Sequence, residues 1–170
     1  MENVKMRCPV CERAELVEKV QNYPYRECGL DNVILAGITV RACPECGSLV
    51  PQIPKMEALH DCIAHALVKK EERLTPAEIV FLRKSLGWSG TDFAENLQCD
   101  KSQVSKWENG RVPMSKQNEL LFREIIVGGK KITDYRRTDA ARKEGNKVVS
   151  LFVKIDEAKR RWTDEWRDAA

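Results

Sequence analysis

Residues 88–110 read WSGTDFAENLQCDKSQVSKWENG, and this stretch decides the fold of the second half of the chain. Ser89 can cap a short helix that runs to about Leu97, and Asp100 can cap a second helix directly after it. Gly110 then supplies the left-handed residue with which helices commonly end. Two short helices joined by a turn of three or four residues are the pattern of a helix-turn-helix.

The second of these helices has one apolar and one polar face. Ala94 is the small residue where the two helices cross, and Val104 and Trp107 form the inward face of the second helix. Polar residues near the start of such a helix can reach base edges in the major groove of DNA. The residues predicted to contact DNA there are Lys101, Ser102, Gln103, Ser105 and Lys106. Ser89 and Arg111 are predicted to hold phosphates.

Two further helices frame this motif. One is predicted to begin at Pro76, because Thr75 can cap it, and to stop at Gly87. Another is predicted to begin at Ser115, where an apolar pattern of helical period follows. Residues 73–128 are therefore expected to form one all-α domain. On composition alone, the same helices are also compatible with a four-helix protein-interaction domain whose polar face is simply solvated.

The N-terminal part of the chain carries two CxxC pairs, Cys8/Cys11 and Cys43/Cys46. In such a turn both sulfurs can point at one ion while backbone amides face them. Four thiolates satisfy the tetrahedral preference of Zn²⁺ and leave no open coordination position. The sequence therefore predicts one structural zinc ion per chain. The odd total of seven cysteines also argues against a secreted disulfide framework.

Two histidines could compete with the cysteines as metal ligands. His60 and His65 offer imidazole nitrogens, although their spacing of five residues on a predicted helix does not place them on one face. The CxxC turns could also be coincidental or form a redox pair, but a dithiol would need only one CxxC. Cys28, Cys62 and Cys99 stand alone and are expected to be small buried hydrophobes.

The segment between the CxxC pairs is rich in Val, Ile, Tyr and Thr, which predicts an antiparallel sheet of about three strands. A helix is expected from Met56 to about Glu72, because apolar residues recur there at helical spacing. Residues 1–72 are therefore expected to form a zinc-binding module with one helix.

The last part of the chain, 129–170, is expected to contain a linker and a C-terminal helix. Residues 132–145 are polar and charged, whereas seven later apolar residues fall on one helical stripe: Val148, Leu151, Phe152, Ile155, Ala158, Trp162 and Trp166. The predicted fold class is α+β, with a small zinc-binding sheet module, an all-α helix-turn-helix domain and a C-terminal helical extension.

The charge of the chain gives little sign of a partner. The formal net charge is only +3, so that any contact with DNA must rest on local placement of basic residues. No stretch approaches the ~20 apolar residues of a membrane span, and no signal peptide is recognisable. The expected location is the cytoplasm, with no membrane partner.

Residues 88–110 resemble the helix-turn-helix core of the Xre or Cro/CI-type regulators, above all in SQVSKWENG. With the two CxxC pairs and the Val/Ile-rich sheet ahead of it, the chain resembles the YgiT or MqsA-type antitoxins of bacterial toxin-antitoxin pairs over about residues 6–127. The resemblance implies that zinc only holds the N-terminal fold, which engages a toxin. It also implies that the C-terminal domain dimerises and represses the operon.

The chain departs from this family at four positions. Aligned on WENG, the two main base-reading positions fall on Ser102 and Lys106, where family members can have asparagine and arginine, so that a different operator sequence is implied. Gln98 stands where the family usually has glycine, which requires a left-handed non-glycine residue at a cost of roughly 1 kcal/mol. Gly90 replaces a commonly polar residue, which puts one phosphate contact in doubt.

These features together predict a sequence-specific DNA-binding transcriptional regulator and not an enzyme. The expected role is that of a type II antitoxin, which neutralises a toxin and, as a homodimer, represses its own operon by binding a palindromic double-stranded operator. The alternative is a stand-alone zinc-containing Xre-family regulator or adaptor without a toxin. Catalysis is not expected, because a closed Cys₄ site leaves no position for a substrate and no supporting constellation for other chemistry is present.

Overall fold

The computed structural model describes residues 6–128, 149–156 and 158–168. Three strands come first along the chain: β1 (Val17–Pro24), β2 (Val33–Ala42) and β3 (Leu49–Pro51). Five helices follow: α1 (Met56–Lys69), α2 (Pro76–Ser85), α3 (Gly90–Asn96), α4 (Lys101–Glu108) and α5 (Lys116–Ile126). Two further strands, β4 (Val149–Asp156) and β5 (Arg161–Asp168), come last. The predicted α+β class is confirmed.

The predicted antiparallel sheet is present, but only β1 and β2 lie between the CxxC pairs, and the third strand, β3, follows the second pair. β2 is the central strand of the three. β1 and β3 both pair with β2 in the antiparallel sense. Alternate residues of β2 are buried, which gives the sheet one apolar face. The pairing of β1 with β2 shifts between Gln21 and Tyr23. Gly37 lies at this irregularity with φ 63°, and its amide donates to Asn22 Oδ1 at 3.0 Å.

The predicted C-terminal helix is wrong, because residues 149–156 and 161–168 form the two antiparallel strands of a hairpin. β4 pairs antiparallel with β5 over its whole length, and its residues 151–153 pair in parallel with residues 33–35 of β2. Apolar residues at 151, 155, 162 and 166 fit a helical stripe, but they also fit one face of two strands. The predicted linker, 132–145, lies outside the described residues.

Along β4 the buried side chains recur at every second residue, as in a strand, because β2 is available as a pairing partner. Leu151 and Val153 are fully buried and point to the same side as Trp162. Lys154, on the opposite face of β4, is exposed. The pairing with β2 completes a five-stranded sheet, so that the apolar face of the hairpin covers α1. A helix at this position would leave residues 33–35 of β2 without these strand partners.

α1 lies between the sheet and the other helices. It contacts β4 and β5 on one side and α2 and α5 on the other. Ala66, Leu67 and Val68 are consecutive and all fully buried, which requires cover on more than one side of the helix. The helix ends at Lys69, three residues earlier than predicted, because Lys70 is extended with ψ 146°. One continuous core therefore runs from the sheet through α1 into the helical domain.

The start signals of the helical domain are confirmed. Thr75 and Glu78 form a capping box at α2, and Ser89 and Asp92 form one at α3. Ser115 caps α5. Asp100 occupies the N-cap position of α4, but its side chain makes no capping hydrogen bond there.

The centre of this domain is aromatic. The centroid of the Phe93 ring lies 4.4 Å from that of the Phe122 ring and 6.4 Å from that of the Trp107 ring. These contacts join α3, α4 and α5, and they fix the angle at which α4 is presented. Among the described residues, no helix combines the length and apolarity needed to cross a membrane.

Candidate metal centre and nucleic-acid interface

The fold brings the two CxxC pairs together. The four sulfurs of Cys8, Cys11, Cys43 and Cys46 all lie within 4.8 Å of one another. Cys8 Sγ is 3.6 Å from Cys46 Sγ, and Cys11 Sγ is 3.6 Å from Cys43 Sγ. The first pair therefore interleaves with the second, although 31 residues separate them in the sequence.

Each CxxC pair forms the same tight turn. Glu12 N donates to Cys8 O at 3.0 Å, and Gly47 N donates to Cys43 O at 3.0 Å. The residue that follows each pair has positive φ, 58° at Glu12 and 70° at Gly47. Glycine adopts this conformation without strain, whereas glutamate does not. The second turn is thus the better preformed of the two.

The geometry of the four sulfurs fits a tetrahedral ion. Sulfurs at ~2.3 Å from a central Zn²⁺ would lie roughly 3.8 Å apart, close to the separations found. Among the described residues these four cysteines are the one group of possible metal ligands so arranged. Four sulfur ligands fill the coordination sphere, which suits a structural metal and leaves no position for a reacting molecule.

Ser48 favours the thiolate form of two of the four cysteines. Its Oγ lies 3.2 Å from Cys8 Sγ and 3.2 Å from Cys46 Sγ. Hydrogen bonding to Ser48 lowers the pKa of Cys8 to about 5 and also lowers the pKa of Cys46. Ser48 was not predicted from the sequence, and its place two residues after the second CxxC pair is the signal that could have identified it.

The two histidines lie away from the metal centre. His60 Nε2 is 3.0 Å from the Tyr25 hydroxyl, and His65 Nδ1 is 2.7 Å from the carbonyl oxygen of Asp61. Neither joins the group of four cysteines. His60 is held by a contact of α1 with Tyr25, whereas the contact of His65 lies within α1 itself.

The three single cysteines pack against the core as half-buried side chains. Burial raises the pKa of each thiol, and it raises that of Cys62 to about 12. These are thiols that stay protonated at neutral pH, as expected of small packed side chains.

The helix-turn-helix presents a polar face. Lys101, Ser102, Ser105 and Lys106 are exposed and Gln103 is half-buried, whereas Val104 and Trp107 are each 2% exposed. Ser89 and Arg111 are also exposed. All predicted DNA-contacting side chains except Gln103 are therefore largely open to solvent.

Two of these side chains already have partners within the protein. Asn109 Nδ2 lies 3.3 Å from Ser105 Oγ, and Ser89 Oγ accepts from Asp92 N at 3.2 Å. Lys101, Ser102 and Lys106 form the part of the face with the most freedom to meet a ligand, since their side chains make no hydrogen bond within the part of the chain that the structure describes.

A half-buried ion pair that was not predicted from the sequence anchors the far end of α4. Arg83 Nε lies 2.6 Å from Glu108 Oε1, and Arg83 Nη1 donates to Trp88 O at 2.6 Å. Glu108 belongs to the WENG motif, so this contact ties the motif to α2. The available sequence signal was an arginine directly after the apolar run 79–82 of α2.

Comparison with known protein families covers the metal centre and the helix-turn-helix together. Residues 6–126 match the family model described as the antitoxin component of a bacterial toxin-antitoxin system, MqsA. No curated protein matches the chain at a significant level of similarity. The family match spans the metal centre, α1 and the whole helix-turn-helix, and it ends before the C-terminal hairpin. This chain therefore belongs to the family of MqsA antitoxins.

Proposed function

We propose that this protein is a zinc-containing antitoxin that also reads DNA through α4 and represses its own operon. The observation that carries the DNA-binding part is the exposed polar face of α4, which stands on a buried pair, Val104 and Trp107. A helix held rigidly from behind can enter a major groove without losing much conformational entropy.

Lys106 and Ser102 are the proposed base-reading residues. A lysine ammonium suits the O6 and N7 acceptors of guanine, while a serine hydroxyl tolerates several bases. Lys101 begins α4 and Arg111 lies three residues after its last residue. Both are proposed to contact phosphates on either side of the groove. Such contacts set the register of the protein on the duplex without reading sequence.

A homodimer on a palindromic operator is the proposed assembly. Two copies related by a two-fold axis would place their recognition helices roughly 34–36 Å apart, one turn of DNA. Binding to the DNA upstream of its own gene, followed by footprinting, tests this proposal. Two protected patches separated by one helical turn are expected. Equal affinity for that DNA and for unrelated DNA of the same length and salt concentration would refute it.

The N-terminal module is proposed to bind one Zn²⁺ for structure and to engage a toxin. Family membership supports the toxin partner, and the closed arrangement of four sulfurs supports the structural role. Co-expression with the product of the neighbouring gene, followed by co-purification, tests the toxin part. If the protein represses its promoter but no neighbouring product binds it, the protein is a stand-alone regulator.

A further inference from the structure

The connection between α1 and α2 is surrounded by buried charge. Lys70 is 7% exposed, Glu78 and Glu119 are each 2% exposed, and Arg123 is 0% exposed. Burying an ion costs several kcal/mol unless partners compensate for the lost water. A connection that served only as a flexible tether between two domains would have no need for such groups.

Arg123, on α5, holds the end of α1. Its Nη1 donates to the carbonyl oxygens of Val68 at 2.8 Å and Lys70 at 2.9 Å, and its Nη2 donates to that of Glu72 at 2.8 Å. The end of a helix leaves its last carbonyl groups without backbone partners. A side chain of the DNA-reading domain therefore completes the helix that packs against the sheet.

Glu119 fixes the middle of the connection. It lies one turn before Arg123 on α5 and pairs with it at 2.7 Å. Its Oε1 also accepts from Leu74 N at 3.1 Å, and Arg73 pairs with its other carboxylate oxygen. The same carboxylate thus pairs with two arginines and accepts a hydrogen bond from a backbone amide of the connection.

Glu78 fixes the end of the connection at the start of α2. Its Oε2 accepts from Thr75 N at 2.7 Å within the capping box, and it lies 2.6 Å from Lys70 Nζ. The ammonium group next to the end of α1 is therefore bound by the carboxylate that starts α2. We call the whole set the junction network: Lys70, Arg73, Glu78, Glu119 and Arg123.

The hairpin ties the sheet to α1, whose end the junction network joins to the helical domain. After α5 the chain returns to the sheet, where β4 pairs with β2 and β5 packs on α1. Asn32 Nδ2 donates to Val149 O at 3.0 Å, and Leu151 N donates to Asn32 O at 2.7 Å. The DNA-reading helices therefore lie between two segments that belong to one sheet and its core.

We infer that the metal-binding sheet and the DNA-reading helices form one cooperative unit, coupled through the junction network. Loss of the metal from the N-terminal module then changes the affinity for the operator. The effect on DNA rests on the proposed function. The coupling within the protein rests only on the contacts above.

Zinc removal from the full-length protein tests the coupling. A chelator is added, and backbone hydrogen exchange is followed by mass spectrometry in β2, α2 and α4. If the two parts are one unit, chelation accelerates exchange in α2 and α4 as well as in β2, by about 5- to 150-fold. Faster exchange in β2 alone would overturn the inference.

Variants then assign the coupling to the network. In Arg123→Met, chelation is expected to accelerate exchange in β2 while α2 and α4 keep the rates of the metal-bound variant. Arg83→Met is the matched control, because Arg83 pairs with Glu108 inside the helical domain and its loss leaves the junction intact. Coupling that persists in Arg123→Met would refute the role of the network. Lys70→Met combined with Glu78→Gln keeps the capping box and repeats the test if Arg123→Met does not fold.

A DNA readout separates this inference from the proposed function. Operator affinity is measured for the wild-type protein and the two arginine variants, each with and without chelator. The wild-type protein and Arg83→Met are expected to lose affinity on chelation, while Arg123→Met is not. If no variant binds DNA specifically, the proposed function fails, but the exchange data still decide whether the two parts are coupled.

Discussion

Gln98 is a residue whose backbone conformation costs free energy. It lies in the turn between α3 and α4 with φ 50°, as predicted from the missing glycine. Its amide donates to Glu95 O at 3.1 Å, and Cys99 N donates to Ala94 O at 2.9 Å, so that the turn closes normally. The turn is therefore imposed by the packing of α3 on α4 and not by the residue itself.

Replacing Gln98 with glycine should therefore stabilise the protein. The expected gain in the free energy of unfolding is about 1 kcal/mol, because the strain of a left-handed side chain exceeds the entropic cost of glycine. Urea denaturation of both proteins measures it. Gln98→Ala is the control, since alanine keeps the Cβ atom that causes the strain. Equal stability of the glycine and alanine variants would contradict this account.

Lys106 tests the proposed reading of DNA at the level of one side chain. Lys106→Ala should weaken operator binding by about 1–3 kcal/mol and relax the preference at one base pair in each half-site. Fluorescence anisotropy with the operator and with single-base variants measures both effects. Lys19→Ala, an exposed lysine of β1, is the matched control and should bind as the wild-type protein does. Unchanged operator affinity in Lys106→Ala would remove Lys106 from the interface.

At the level of elements, α5 shows why charge can be buried at a domain connection. Burial alone raises the pKa of Glu119, but the nearby charge of Arg123 and the contacts with Arg73 outweigh it, so that the pKa is lowered overall. A carboxylate whose pKa is lower in the folded than in the unfolded state stabilises the fold above its ordinary pKa. That contribution is lost as the pH falls through the folded value.

Glu119→Gln should therefore destabilise the protein in a pH-dependent way. At neutral pH the expected loss is about 3–5 kcal/mol, because a buried pair is broken and charged partners remain. The difference between wild type and variant should shrink as the pH falls below the ordinary glutamate value of 4.5. Both proteins are denatured at a series of pH values. Acid affects the cysteine thiolates of both proteins equally, so that this effect cancels in the difference between their free energies of unfolding. A difference that does not change with pH would show that Glu119 acts without its charge.

The hairpin is the second element whose role depends on its neighbours. Trp162 is 7% exposed and covers α1 from β5. Trp162→Ala should lower the free energy of unfolding by about 3–5 kcal/mol, as expected of a large buried aromatic residue. Thr163→Ala, at the exposed neighbouring position, should cost far less. If both variants lose the same small amount, the hairpin does not pack on α1 in solution.

At the level of the whole molecule, the metal centre supplies order that the small N-terminal sheet needs. The three N-terminal strands by themselves bury little apolar surface, so that a further link at their ends adds to their stability. The cysteines that precede β1 and follow β2 form such a link when a metal joins them. The sheet then supports α1, and α1 supports the helical domain through the shared core.

Cys43→Ser tests the metal centre directly. The wild-type protein should contain one zinc ion per chain, and the variant should lose most of it, because one thiolate of four is missing. Metal analysis of the purified proteins by mass spectrometry measures this. Cys62→Ser is the control, since Cys62 lies outside the cluster and its variant should keep the zinc. Equal zinc content in both variants would refute the assignment of the four cysteines.

The sequence determined the local features of this protein. CxxC spacing identified the cluster, and the capping residues Thr75, Ser89 and Ser115 placed three helix starts at the correct residues. The missing glycine at Gln98 identified a strained turn. Each of these depends on interactions among residues close together in the chain, so that a short window of sequence contains the necessary information.

Only the tertiary structure decided between helix and strand at the C-terminus and revealed the junction network. The spacing of Leu151, Ile155 and Trp162 fits both periods, and the choice depends on free backbone groups of β2, more than a hundred residues earlier. Likewise, Arg123 has no carbonyl partners near it in sequence, because they lie 51 to 55 residues away at the end of α1. Contacts between residues far apart in the sequence stabilise the fold, but they produce no recognisable pattern within a short segment of the sequence.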